Sequence, residues 1–128
     1  MRDAGTSLEQ AARYRRMAEE GALRVRLWLM LKDDLERLEA AAPRREEVTP
    51  YLVIGGIKGV MDGALGSRSA WMLEPYADAP EQTGSRLLAP DTLDGLMKLA
   101  LRGRLQMAVH AIGDRANRTV LDLSLIHI

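Results

Sequence analysis

A chain of 128 residues with 18 basic and 18 acidic side chains carries no net field that would steer it onto nucleic acid or an anionic lipid surface. Its 47% hydrophobic content can supply a modest core, but no stretch approaches the ~20 apolar residues that span a bilayer. Cysteine is absent, which excludes a disulfide framework and a thiolate metal site, so any metal has to be held by nitrogen or oxygen.

Ser7-Leu8-Glu9-Gln10 has the form of a capping box, and the alanine-rich run to Glu20 predicts a first helix that stops at Gly21. Leu23 to Met30 becomes continuously apolar at Leu27-Trp28-Leu29-Met30, the pattern of a strand entering a buried sheet. Leu31, Leu35 and Leu38 then mark one face of a short helix closed by Pro43. Tyr51 to Asp62 predicts a second strand, with Gly55, Gly56 and Gly59 suited to a bulge or a close backbone approach.

Residues 63–89 are punctuated by Gly, Ser and Pro, and a loop of that length in a compact domain is usually functional or disordered. Leu93, Leu96, Met97, Ala100 and Leu101 have the spacing of a third amphipathic helix between Pro90 and Gly103. Leu105 to Ala111 predicts a third strand, and Asp114 is placed to cap a fourth helix through Val120 and Leu121. This α-β-α-β-α-β-α order calls for a parallel sheet with helical crossovers, here about three parallel strands with flanking helices. A closed barrel of such units takes eight strands and ~250 residues, so the expectation is an internal piece of one.

Composition changes at the end. Leu123-Ser124-Leu125-Ile126-His127-Ile128 holds two of the five isoleucines and one of the two histidines in a chain otherwise rich in arginine and alanine. That run resembles one reading frame of a transposon-end adapter. The expected division is therefore a domain over residues 1–122 and an adapter-derived tail over 123–128. Met1-Arg2-Asp3-Ala4-Gly5 lacks the basic-then-apolar pattern of an export signal, which leads to the expectation of a cytoplasmic protein, with the true N-terminus, and any signal on it, upstream of Met1.

Two blocks end predicted strands: Ile57-Lys58-Gly59-Val60-Met61-Asp62-Gly63 and Val109-His110-Ala111-Ile112-Gly113-Asp114. In parallel α/β architectures the C-terminal strand ends face the active site, so Lys58 and His110 are candidates by position. Strand alternation puts Lys58, Val60 and Asp62 on one face, and Gln106, Ala108 and His110 on another. The βα-loop position of Arg68 and Trp71 makes them candidate pocket residues, whereas Asp62 and Asp114 read as structural support. The glycines at 63 and 66 lack the lysine of a P-loop, which excludes a nucleotide cradle. Asn117-Arg118-Thr119 matches a glycosylation acceptor by accident, since it falls within a predicted helix.

The segment IKGVMDGALGSRSAWMLEPYADAPEQTG, followed by MAVHAIGDRANRTVLD, resembles amidohydrolase family 3, the YtcJ-like branch that includes N-substituted formamide deformylases. The likeness runs in order and spacing over roughly residues 7–122, with one departure: Arg104 stands where a glycine is common. It implies a (β/α)8 barrel parent of the metal-dependent hydrolase type, bacterial, acting on non-peptide carbon-nitrogen bonds of a small-molecule amide or ester. It also implies a divalent metal, with zinc as first choice, held in part by Lys58 as a carboxylated bridging ligand and by His110. Other ligands of this family, a His-x-His pair, a further histidine and the aspartate that serves as general base, are not found in these 128 residues. The resemblance therefore implies that this chain alone is inactive, and it leaves a homodimeric parent open.

The implied chemistry suits the residue types. An uncharged lysine amine adds carbon dioxide to form a carbamate whose oxygens can bridge two cations. A neutral imidazole suits zinc, and such metals lower the pKa of a bound water so that hydroxide can attack a carbonyl. Two other readings stay open on the residues alone: a small α/β binding module without catalysis, and a different parallel-sheet enzyme.

Overall fold

A computed structural model describes residues 1–126. The described residues form nine elements: β1 (Arg2–Thr6), α1 (Leu8–Glu19), β2 (Leu27–Leu31), α2 (Leu35–Ala41), β3 (Glu46–Thr49), β4 (Leu52–Val60), α3 (Pro90–Gly103), β5 (Gln106–His110) and α4 (Asp114–Ile126). The fold is α/β, as the sequence alternation required, but the sheet has five strands rather than three and is mixed rather than all parallel. Its order is β1-β2-β4-β3, with β5 also paired to β4. β1 and β2 are parallel, as are β2 and β4, whereas β3 runs antiparallel to β4. Because β3 covers only Leu52 to Ile54 of β4, the remainder of that edge is left for β5, and Met61 N–H donates to the His110 carbonyl at 2.8 Å just beyond it.

The two strands that the sequence did not announce lack the usual pattern. β1 is Arg-Asp-Ala-Gly-Thr, mostly exposed, and β3 begins with Glu46 and Glu47, both exposed. Strand periodicity marks a half-buried strand, and edge strands with polar side chains carry little of it. β2 starts at Leu27, not Leu23, and it takes Leu31, which the heptad-like spacing had assigned to the next helix. Leu31 is 2% exposed, so burial in the sheet overrides its spacing with Leu35.

α1 begins as its sequence demands. Ser7 accepts the Gln10 N–H while the Gln10 side chain accepts the Ser7 N–H, a reciprocal box, which typically contributes about 1 kcal/mol. Gly21 adopts φ 68 just past the helix end, the left-handed stop expected there. α2 is capped by Asp34, whose side chain accepts the Arg37 N–H. In α3, Leu93, Leu96, Met97, Leu99 and Ala100 are buried; Leu101, assigned to the apolar face by spacing, is 70% exposed. Burying leucines such as these contributes roughly 1.5–3 kcal/mol each.

The chain has two compact units, one of Met1–Lys58 with Gly95–Ala108 and one of Gly59–Asp94 with Val109–Ile128. The first holds β1, α1, β2, α2, β3 and most of β4, around a core of Leu27, Leu29, Leu31, Leu38, Leu52, Ile54 and Ile57. Gly55 and Gly56 in β4 serve the close approach expected of them. The Trp28 ring lies where a Cβ on Gly55 would be, and the β2–β4 register slips at that residue, with Leu29 facing Ile54 and Met30 facing Gly56. Arg104, the departure from glycine, sits at φ 53, a left-handed conformation that costs a side-chain-bearing residue roughly 1–2 kcal/mol.

The second unit is built from residues 63–89 and α4. That long segment is ordered without being helix or sheet, apart from an isolated bridge between Tyr76 and Ala79. Leu123 to Ile126 continue α4; His127 and Ile128 of the expected adapter tail lie outside the described residues. No helix among the described residues is long and apolar enough to cross a membrane.

Candidate active site

Asp62 is the organising residue of the second unit. It lies two residues past the end of β4, is 0% exposed, and its carboxylate accepts three backbone N–H bonds: from Trp71 at 2.8 Å, Ile112 at 2.9 Å and Gly113 at 2.7 Å. A buried carboxylate without such donors would be very costly, and charge-assisted bonds of this kind are roughly twice as strong as neutral ones. One side chain therefore joins the loop at Trp71 to the turn after β5. The support expected of Asp62 is long-range, reaching segments 9 and 51 residues away. Fully buried, it presents no oxygen to a substrate.

Gly113 is what lets that turn come so close. A Cβ at this position would overlap the Trp71 backbone, carbonyl oxygen included. Asp114 strengthens the same junction. Its Oδ1 accepts the Leu73 N–H at 2.7 Å and the Arg115 N–H at 2.7 Å. α4 starts at Asp114 itself, so the residue expected to cap this helix stands in its first turn, where one carboxylate oxygen takes an N–H of that turn and an N–H of the loop.

His110, the last residue of β5, is 35% exposed at its side chain. Its Nε2 lies 2.9 Å from the Gly63 carbonyl oxygen and 3.9 Å from Asp62 Oδ1. A carbonyl can only accept, so Nε2 carries the proton, and in the neutral ring the lone pair resides on Nδ1. Metal-binding histidines commonly donate their other N–H to a carbonyl or carboxylate in this manner. Lys58 lies in β4, half-buried, and belongs to the first unit. Among the described residues no three His, Asp or Glu side chains gather closely enough to hold an ion.

The other candidates serve the loop. Arg68 is exposed at φ 51 and donates to Asp78 Oδ2 through Nε at 3.2 Å and a terminal nitrogen at 2.8 Å. The Asp78 carboxylate holds the Arg68 guanidinium above its ordinary pKa, and the arginine in turn pulls Asp78 below its own. Trp71 is half-buried, with the Arg86 and Arg115 guanidinium carbons 5.7 and 5.5 Å from its ring centre. Tyr76 donates its hydroxyl to the Ala70 carbonyl at 2.8 Å, while Arg115, which the sequence did not single out, also donates to the Leu73 carbonyl at 3.1 Å. Nothing in the periodicity of α4 distinguishes Arg115 from a solvated charge, so its loop contacts are visible only in three dimensions. Asn117 spends its side-chain amide on the Ala111 and Gly113 carbonyls.

The chain is similar to known proteins in sequence and in fold. Putative amidohydrolase YtcJ of Bacillus subtilis (strain 168) is 42% identical over 73 residues, 57% of this chain and 14% of that protein. Protein LONG AFTER FAR-RED 3 of Arabidopsis thaliana is 41% identical over 76 residues, 59% of this chain and 13% of that protein. Among solved structures, an uncharacterized metal-dependent hydrolase from Pyrococcus furiosus superposes with a TM-score of 0.88 at 29% identity, covering 98% of this chain and 27% of that one. Another from Pyrococcus horikoshii OT3 gives a TM-score of 0.89 at 27% identity, covering 98% of this chain and 26% of that one. The chain thus spans well under a third of the length of the relatives it matches. A model of the amidohydrolase family matches residues 2–123, nearly the whole length, and on that match the chain belongs to the amidohydrolase family.

Proposed function

We propose that the protein to which this chain contributes is a metal-dependent hydrolase of non-peptide carbon-nitrogen bonds in small-molecule amides, and that the chain is part of its (β/α)8 barrel. The single observation that carries the reading is His110: its Nε2–H is committed to the Gly63 carbonyl at 2.9 Å, which fixes the ring and leaves Nδ1 as the lone-pair donor. That is the tautomer and the orientation a divalent cation needs. When bound, such a cation, zinc by preference, supplies a nucleophile from water near neutral pH and polarises the carbonyl under attack.

In this reading His110 and Lys58 are metal ligands, Lys58 in its carboxylated form. The donor set of the chain fits one part of such a site, because the carboxylate nearest His110, that of Asp62, is occupied by three N–H groups. Asp62 and Asp114 are positioning residues: they hold the His110 turn and the loop carrying Trp71 in fixed register. Arg68, tied to Asp78, shapes the rim of that loop, and Trp71 offers its ring to the organic part of the substrate. With two ligands and no general base in these residues, the chain by itself does not hydrolyse amides.

The test is metal content and hydrolysis of a panel of non-peptide amides by the complete gene product, alongside Lys58→Ala and His110→Ala. Each variant is expected to lose bound metal and at least about a hundredfold in kcat/KM, the upper range for disturbing a metal's surroundings. Full activity and full metal content in both would refute the assignment.

A further inference from the structure

The first unit contains a cleft of about 500 Å³ lined by Arg44, Arg45, Glu47, Arg102, Gly103 and Arg104. Four guanidinium groups meet there, and only two have a carboxylate partner: Arg45 pairs with Glu47 at 3.0 Å and Arg102 reaches Glu39 at 3.9 Å. Among the described residues no ion pair involves Arg44 or Arg104, both exposed. The two segments that carry the arginines are joined by backbone, since Arg45 N–H donates to the Gly103 carbonyl at 2.8 Å. The spacing of the charges is therefore set by the fold rather than by flexible side chains alone.

Two further features argue that the cleft is built for an anion. Three of the carbonyls at the C-terminal end of α3, which would repel one, accept backbone N–H groups: Leu101 from Arg104 at 3.1 Å, Ala100 from Leu105 at 2.8 Å and Gly103 from Arg45 at 2.8 Å, which lessens that repulsion. And Arg104 holds its side chain at this rim from a left-handed backbone, φ 53, where glycine would be free of strain. The left-handed conformation belongs to the helix stop itself, so what needs a reason is the choice of arginine, its charge unpaired in the fold, at a position where glycine would be unstrained. An adjoining hollow, which shares Arg44, Arg102 and Gly103 with the cleft, adds Ala42, Pro43 and Leu99 as an apolar margin.

We propose that this arginine cleft is a binding site for a small multiply charged phosphate compound, with Arg44 and Arg104 as the primary ligands, separate from the residues assigned above to hydrolysis. Planar guanidinium forks suit phosphate oxygens, which accept two parallel N–H bonds from each. Inorganic phosphate and pyrophosphate share that chemistry, and a titration with each distinguishes a single phosphoryl group from a diphosphate.

The probe experiment is calorimetric titration of the purified protein with pyrophosphate, and separately with inorganic phosphate, at fixed ionic strength against a chloride control. Saturable binding with one site per chain is expected, stronger for pyrophosphate, and reduced at least tenfold in Arg44→Gln and in Arg104→Gly. Because glycine relieves the backbone at residue 104, that variant is also expected to melt no lower than the parent, so loss of binding cannot be ascribed to loss of fold. Absence of saturable heat with both probes, or undiminished binding in the Arg44→Gln, Arg104→Gly double variant, would overturn the proposal.

Discussion

The Asp62 carboxylate accepts the Gly113 backbone N–H at 2.7 Å across 51 residues of sequence, and with that bond the exit of β4 is fastened to the exit of β5. Asparagine at this site keeps the size but replaces one accepting oxygen with an N–H2 that faces backbone donors. Asp62→Asn is therefore expected to destabilise the chain by about 2–4 kcal/mol, and Asp62→Ala by a similar amount, the range for leaving buried charge-assisted bonds unmade. Denaturant unfolding measures it. A loss below about 0.5 kcal/mol would mean that the three N–H groups find other partners.

Gly113→Ala tests the same junction sterically. The added methyl would overlap the Trp71 backbone, and backbone cannot rotate aside as a side chain does. A destabilisation of about 1–3 kcal/mol is expected, together with altered tryptophan fluorescence from the shifted Trp71 ring. Unchanged unfolding and emission would show that the turn after β5 is looser than its geometry indicates.

Acid titration has a defined sign at Glu46. Its two oxygens accept from Arg15 at 2.7 and 2.6 Å, and the arginine holds the carboxyl below its ordinary pKa. A carboxyl depressed in the folded state contributes stability that is present above its unfolded pKa and is lost as pH falls through the folded value. Both side chains are partly exposed, 35% and 46%, so solvent screening limits the effect to under about 1 kcal/mol. Glu46→Gln should lower stability at pH 7 by that small amount and leave it unchanged at a pH below the folded pKa. Equal losses at both would assign the effect to packing.

Much of this architecture could be read from the sequence where burial and periodicity agree. The capping box at Ser7, the stop at Gly21 and the close approach at Gly55 and Gly56 of β4 have local physical causes and appear where expected. β1 and β3 had no such signature, because a polar edge strand is specified by the neighbour it pairs with rather than by its own pattern. The motif around Lys58 and His110 was legible as residue types and spacing. What escaped was the part played by Asp62: no one-dimensional signal says which distant N–H groups a buried carboxylate will collect. The contacts of Arg115 with the loop were hidden for the same reason, since an arginine on a helix usually faces solvent.

The most direct measurement is a long-range ¹H–¹⁵N correlation spectrum of the His110 ring, assigned with His110→Ala, recorded on the metal-free protein and again after addition of zinc. The account predicts a protonated Nε2, held by the Gly63 carbonyl, and an Nδ1 resonance that moves on zinc addition while the Nε2–H persists. A ring protonated on Nδ1, or zinc perturbing Nε2 in place of Nδ1, would contradict it.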